Sequence, residues 1–457
     1  MVRSPSPSQP RLRQALAGAT RSGTRWPLIA LLAATALFRM TQNMAATTLS
    51  LLAGTALHFG AGAIGALGAV SGLTVAGATL LLSRRVPHER AAGSAAAGMA
   101  VLAGSLLVLG MAPSYPVLMA GAILLGGAGG IVMPGLLNAL VSRAGERREQ
   151  FIAVYSVTLS VSLAIGPVLE TLVLTNAHQD VRLPYLVFAG LPALGAGLLV
   201  LGWRPRRLQP VDLPLSDAEV AGQVLAGKAP MPCEDIAVDV LAEQAATFDC
   251  DQRDEPSDAP ARARWQRGLL ATHAGRVALV AELLYMVPFA GVTVFGALVA
   301  RVGFGVTPAK AQLGFTIFFV WSFVARALVA FRAPIVHKRA LLWLSAGLTA
   351  SGLALLGTGH GLLGLLVAMG ILGIPHGLTF PLALAMVADA TSASDLPRAN
   401  ATLLGSTNLT AVIVPLVLGS IVPAVGYQNM ILVLLGPVAL FAFMQFSLRP
   451  RERALQR

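Results

Sequence analysis

The chain has 457 residues, 55% of them hydrophobic and only 12% charged, with a mean hydropathy of +0.72. Soluble globular proteins carry about 25% charged residues, so a water-soluble fold is excluded. The formal charge of +12 comes from basic residues set between long apolar runs rather than on one patch, which removes nucleic acid as a partner.

A helix needs roughly 20 apolar residues to cross a hydrocarbon layer about 30 Å thick, because a spanning segment must bond its own backbone. Twelve segments have that length, near residues 27–51, 59–82, 94–112, 117–141, 151–174, 184–203, 277–300, 309–331, 340–357, 361–388, 400–423 and 428–447. The first follows Arg3, Arg11, Arg13, Arg21 and Arg25, as a secretory signal would, but it is too long for a signal core and is expected to be retained. Placing both termini in the cytoplasm puts 27 of the 33 basic residues inside and three, Arg182, Arg301 and Lys310, outside. That nine-to-one bias sets the expected orientation in the cytoplasmic (inner) membrane. The expected layout is a basic tail 1–26, a six-helix bundle 27–203, a cytoplasmic loop 204–272, a second six-helix bundle 273–447 and a tail 448–457.

Arg39 lies about midway along the first span. A charge at that depth costs roughly 2.5–3.5 kcal/mol on insertion scales, so it faces a partner or a wet cleft. Gln42 and Asn43 follow at i+3 and i+4 and share its face. Arg39 either meets substrate there or ties helices together through their carbonyls. Gly65, Gly68, Gly72 and Gly77 in the second span, with Gly126, Gly127, Gly129 and Gly130 in the fourth, are dense small residues that let backbones approach closely. Asn138 stands near the inner end of the fourth span, and Glu170, near the outer end of the fifth, reads as solvated or as a gate contact.

The loop 204–272 holds twelve of the 21 acids and both cysteines, Cys233 and Cys250, in no metal-ligand spacing, so neither a zinc module nor a disulfide framework is expected. Ser216 to Glu219 resembles a capping box for a short helix at 217–227, and a second helix is expected from Glu234 to Phe248. Gly222 to Lys228 fits G-x-x-x-x-G-K, but Ala229 replaces the metal-binding hydroxyl and Pro230 blocks the helix that should follow. No ATP drive is inferred, and no cofactor or metal is expected.

Glu282 is the one acid well inside a span of the second half. A carboxyl group taken out of water can exchange its proton in the physiological range, which proton coupling requires. The alternative is a static pair with Arg326 of the eighth span, at matching depth. Tyr285 shares the Glu282 face. His376 follows Pro375 near the middle of the tenth span, as a titrating cavity group or a packed core histidine. Asn408, with Ser406 and Thr407, adds polar groups to the eleventh; Asn400 and Asn408 head N-x-T triplets but lie in or beside a span and are not glycan acceptors.

The second six spans repeat the first. His88, Glu89 and Arg90 correspond to His337, Lys338 and Arg339; Gly130 and Pro134 to Gly377 and Pro381, both in G-x-x-x-P; and Pro167 to Pro415. With twelve spans, a long central inner loop and duplicated halves, the sequence resembles the major facilitator superfamily of secondary transporters. The resemblance implies an all-α membrane fold of two pseudo-symmetric six-helix bundles, with the first, fourth, seventh and tenth spans around a central cavity. Residues 81–90 keep the basic cluster of the family's gating loop, Arg84, Arg85 and Arg90, and lack its Asp; Arg339 is the counterpart in the second half. Ser162, Gly166 and Pro167 are similar to part of the family's exporter signature and lean the reading toward efflux.

The expected function is alternating-access transport of a small organic solute, anionic or polar neutral, by a proton-coupled antiporter or symporter. Arg39, Gln42, Asn43, Tyr285, His376 and Asn408 are the expected cavity residues, Glu282 and Arg326 the coupling pair. The chain is taken as a monomer whose partners are the solute, protons and the lipid bilayer. The alternative is a non-transporting receptor or assembly factor that uses 204–272 as a docking surface.

Overall fold

A computed structural model describes residues 25–82, 90–144, 148–202, 273–332, 338–391 and 396–448. All regular structure among them is helical, since no water is at hand within lipid to bond free backbone groups. Twelve helices are long and apolar enough to cross a membrane: Trp26–Ala56, Ala61–Leu81, Ala91–Gly110, Tyr115–Ser142, Val154–Asn176, Leu183–Gly202, Gly275–Gly303, Pro308–Val329, Lys338–Thr358, Gly361–Ala388, Thr402–Val425 and Tyr427–Ser447. They are called spans 1 to 12, and each falls within a few residues of its expected place. Span 1 ends in a π-helical turn, Leu52–Ala56; spans 6 and 12 are each built from two short helices, Leu183–Phe188 with Gly190–Gly202 and Tyr427–Val433 with Leu435–Ser447. Gly426, at φ 80°, makes the tight turn between spans 11 and 12, where a side chain would be strained. Arg84, Arg85, the two expected helices of 204–272 and the tail segments 1–24 and 449–457 lie outside the described residues.

Large apolar side chains such as Leu73, Leu80, Leu107, Val200, Leu363 and Phe443 are exposed. Facing water they would be a liability; facing acyl chains they are solvated. Inside the bundle the glycines explain the packing. A β-carbon at Gly130 would lie 2.5 Å from the Val75 carbonyl oxygen and 2.7 Å from the Ala78 methyl, so spans 2 and 4 meet backbone to backbone. Pro134, four residues on, has no N–H for the Gly130 carbonyl, and Thr79 of span 2 donates to that oxygen at 3.3 Å. Span 5 does the same: Pro167 leaves the Leu163 carbonyl free, and the Asn43 amide of span 1 donates to it at 3.0 Å.

Span 10 repeats span 4. Gly373 and Gly377 pack on the backbone of span 8 at Phe318 and Ser322, as Gly126 and Gly130 pack on span 2 at Ser71 and Val75. One displacement along the chain relates all four pairs, and it also carries Ala78 to Ala325. Duplication is thus written into the contacts as well as the sequence. Overpacking costs typically about 1–3 kcal/mol. Gly130→Val is therefore expected to lower the thermal unfolding midpoint of detergent-purified protein, whereas Gly127→Val, whose β-carbon meets nothing within 4 Å, leaves it unchanged.

Candidate functional site

Spans 1–6 pack among themselves, as do spans 7–12; the extended contacts between the two sets are span 2 with span 11, span 5 with span 8 and span 1 with span 7. The contacts resolved at side-chain level fall toward one end, the end of the 57–60, 177–182 and 303–307 connections. There a β-carbon at Gly65 would strike the Pro415 carbonyl, and one at Gly72 would lie 3.2 Å from the Ala411 oxygen. Beside this seam runs a polar chain between the halves. Thr47 donates to Gln312 Oε1 at 3.3 Å, Gln312 Nε2 donates to Thr48 Oγ1 at 3.2 Å, and Thr48 donates to Glu170. Glu170 has no exposed surface, so the solvated reading of it is corrected and the gate-contact reading fits. Nearer the same end Gln179 Oε1 accepts from the Ala309 amide at 2.9 Å.

Toward the other end the second half has apolar cores of its own. One joins Ala278, Phe380, Ala383, Leu384, Val387 and Leu403; another joins Val277, Ala281, Ala325, Leu342, Leu378 and Leu382. Neither includes a residue of the first half, whereas the large core does cross the seam. The bundles are zipped at one end and separately packed at the other.

The polar groups lie at mid-depth, below the seam. Arg39 donates to Gln42 Oε1 at 3.3 Å and reaches Met133 Sδ of span 4 at 3.9 Å. Gln42 lies over Gly129, where a β-carbon would sit 2.6 Å from Nε2. Across from it, His376 shares a 2.6 Å hydrogen bond between Nδ1 and Ser322 Oγ. Its ring packs against Phe289 at 4.6 Å between centroids, Phe318 at 5.1 Å, Tyr285 at 5.5 Å and Phe319 at 5.7 Å. His376 is within electrostatic reach of Arg326 and, from the first half, of Arg39.

Of the expected cavity residues, Arg39 and Gln42 meet in the first half and His376 lies in the second. Tyr285 joins His376 through its ring, which also stacks on Phe289 at 5.5 Å. Asn43 does not: it is buried and its amide is committed to the carbonyl that Pro167 frees. Asn408, half-buried, lies one turn inward of Ala411, which lines the cavity described next. Glu282 has no exposed surface and accepts the Thr407 hydroxyl at 3.4 Å. Arg90 and Arg339 are exposed at the ends of spans 3 and 9. Ser322 and the rings of Phe289, Phe318 and Phe319 were not expected from the sequence; the span repeat, which carries Gln42 to Phe289, was the available signal. No cluster of three metal-binding side chains occurs among the described residues.

Between spans 1, 2, 4, 7 and 11, against Phe289, lies a cavity of about 180 Å³. The sequence profile of the Major Facilitator Superfamily matches residues 31–299 and again 279–457. The chain belongs to that superfamily. It is therefore a multi-pass membrane protein and a secondary transporter rather than an enzyme. Major facilitator structures superpose over nearly its whole length. The nucleoside transporter NupG gives a TM-score of 0.68 at 14% identity, covering 92% of this chain and 98% of that one. A bacterial homologue of the human lysosomal transporter Spinster, in an inward-facing and occupied conformation, gives 0.64 at 12% identity, covering 92% and 96%. A POT family transporter in complex with a thioalcohol-conjugated peptide gives 0.64 at 12%, covering 92% and 96%. At these identities the likeness concerns the fold. No curated protein matches the sequence at a significant level.

Proposed function

We propose that this major facilitator exports a small organic anion in exchange for protons, binding it at mid-depth between the halves. The observation that carries the reading is Arg39 at mid-depth of span 1, held by Gln42 and Met133, with its Nε buried and without a hydrogen bond among the described residues. A guanidinium in lipid is tolerated when a polar ligand or a wet cleft attends it, and a carboxylate or phosphate offers the strongest charge-assisted bond to it. Glu282 serves as the proton carrier; its burial and its bond to Thr407 give it a polar setting off the open cleft. Efflux as the direction rests on the Ser162, Gly166 and Pro167 segment of span 5. The positive-inside bias supports an orientation with the zipped end outside and both termini in the cytoplasm, and in that orientation the described state is open toward the cytoplasm.

In the opposite state the Gly65 to Pro415 seam and the chain from Thr47 through Gln312 to Glu170 must part. Gly65→Val is expected to favour that state, because the added side chain meets backbone. The readout is faster labelling of a cysteine at Ala411 by an external thiol reagent in intact cells; an unchanged rate would mean that this seam is not the outer gate.

The function is tested with purified protein in proteoliposomes, by flux of a panel of labelled organic anions with and without a pH gradient. Saturable flux of an anion, accelerated by the gradient, is the expected outcome. Absence of flux for every anion, with the protein correctly inserted, would refute it.

A further inference from the structure

We propose that the solute is a single-ring aromatic acid carrying a hydroxyl or carbonyl group on the ring; this deepens the transporter reading above and rests on it. The displacement that relates the two halves carries Gln42 to Phe289 and Gly129 to His376. The duplicated scaffold therefore holds two equivalent pairs, one in each half. In the first half the pair is an amide over a glycine, beside the Arg39 guanidinium. In the second it is two rings, Phe289 over His376 at 4.6 Å. Phe289 is only half-buried, whereas Tyr285, Phe318 and Phe319 behind it are buried, so Phe289 is the face that a ligand meets. A molecule that satisfies both pairs has an acidic end and a flat, apolar end.

The cavity sets the size. Its 180 Å³ is walled mainly by Leu49, Ile64, Gly68, Met286, Phe289 and Ala290. An apolar cavity of about 150 Å³ accepts a benzene ring. One ring fits here. On span 1 the face that carries Arg39 and Gln42 continues to Ala46, Leu49 and Ser50, so the acid lies at the open side and the ring toward the zipped end.

The cavity is not wholly apolar. Ser50 and Thr293, from spans 1 and 7, both line it, and both hydroxyl oxygens are buried without a hydrogen bond among the described residues. Other threonines of span 1, such as Thr35 and Thr41, bond back to the carbonyl four residues earlier, and these two do not. Leaving a buried hydroxyl unmatched is costly, and a polar substituent at the far edge of the ring supplies the partner. Arg39 Nε is likewise buried and without a hydrogen bond among the described residues, which leaves an edge of the guanidinium for a carboxylate.

The test uses the full chain in proteoliposomes with labelled 4-hydroxybenzoate, benzoate and butyrate as probes. The expected order of kcat/KM is 4-hydroxybenzoate above benzoate, with butyrate far below. Thr293→Val keeps the shape and removes the hydroxyl, and is expected to lower the preference for 4-hydroxybenzoate over benzoate about tenfold. Ser50→Ala gives a second reading of the same ratio. An unchanged ratio in both variants would overturn the hydroxyl assignment. Saturable flux of butyrate that neither ring acid inhibits would overturn the aromatic proposal while leaving the anion transporter standing; flux of none of these probes or of any other anion would instead strike the transporter reading itself.

Discussion

Arg39→Ala is expected to weaken the binding of anionic solutes by about 30-fold or more, since removing one member of a desolvated charge pair costs about 2–5 kcal/mol. The contacts of Arg39 give this number its meaning. Its hydrogen bonds among the described residues go to Gln42 on its own helix and to Met133 on span 4, a weak sulfur acceptor, and none goes to a carbonyl of the second half. A purely structural arginine would take every solute down together and lower the unfolding temperature with them. A ligand-binding arginine spares neutral solutes, and Arg39→Lys then recovers part of the anion affinity, because the charge returns without the planar fork. Isothermal titration on purified variants separates the two.

Glu282→Gln is expected to abolish flux driven by a pH gradient while leaving exchange of solute for solute intact. Glutamine has the shape of glutamate and keeps an oxygen for the Thr407 hydroxyl, while the exchangeable proton and the charge are lost. Gradient-driven flux that persists at the wild-type rate would remove Glu282 from the coupling role. Glu170 would then be the group to replace, as the other carboxyl with no exposed surface among the described residues, placed where the halves meet.

The fold was legible because lipid leaves so few solutions. Charge is rare in twelve stretches of the right length, and the basic residues between them alternate in density, so span number and expected orientation follow from elementary transfer costs. The repeat was legible at G-x-x-x-P for a reason the packing makes plain: glycine admits the neighbouring helix, and proline four residues later leaves an oxygen that the neighbour can bond. The same logic could have placed Asn43, since Pro167 announces a free carbonyl at Leu163. Nothing in span 1 alone says that Asn43 is the residue that reaches it.

Glu170 and the ring cluster mark the limit. Glu170 lies within a turn or two of the span's end, where depth alone leaves solvent and gate equally open, and its fate depends on Thr48 and Gln312, far away in the sequence. Phe289, Phe318 and Phe319 are ordinary apolar residues in apolar helices. Only the tertiary arrangement makes them a wall around His376, and only the repeat relation between Gln42 and Phe289 hints at which of them faces the cleft.

Accessibility of Gln42 is the most direct measurement. In a background with Cys233→Ser and Cys250→Ser, Gln42→Cys should react with a membrane-impermeant thiol reagent from the cytoplasmic face of inverted vesicles, and from the external face once Gly65→Val is added. A thiol at this position that never reacts from either face, in protein shown to be folded and inserted, would contradict a mid-depth site opened by turns to the two sides.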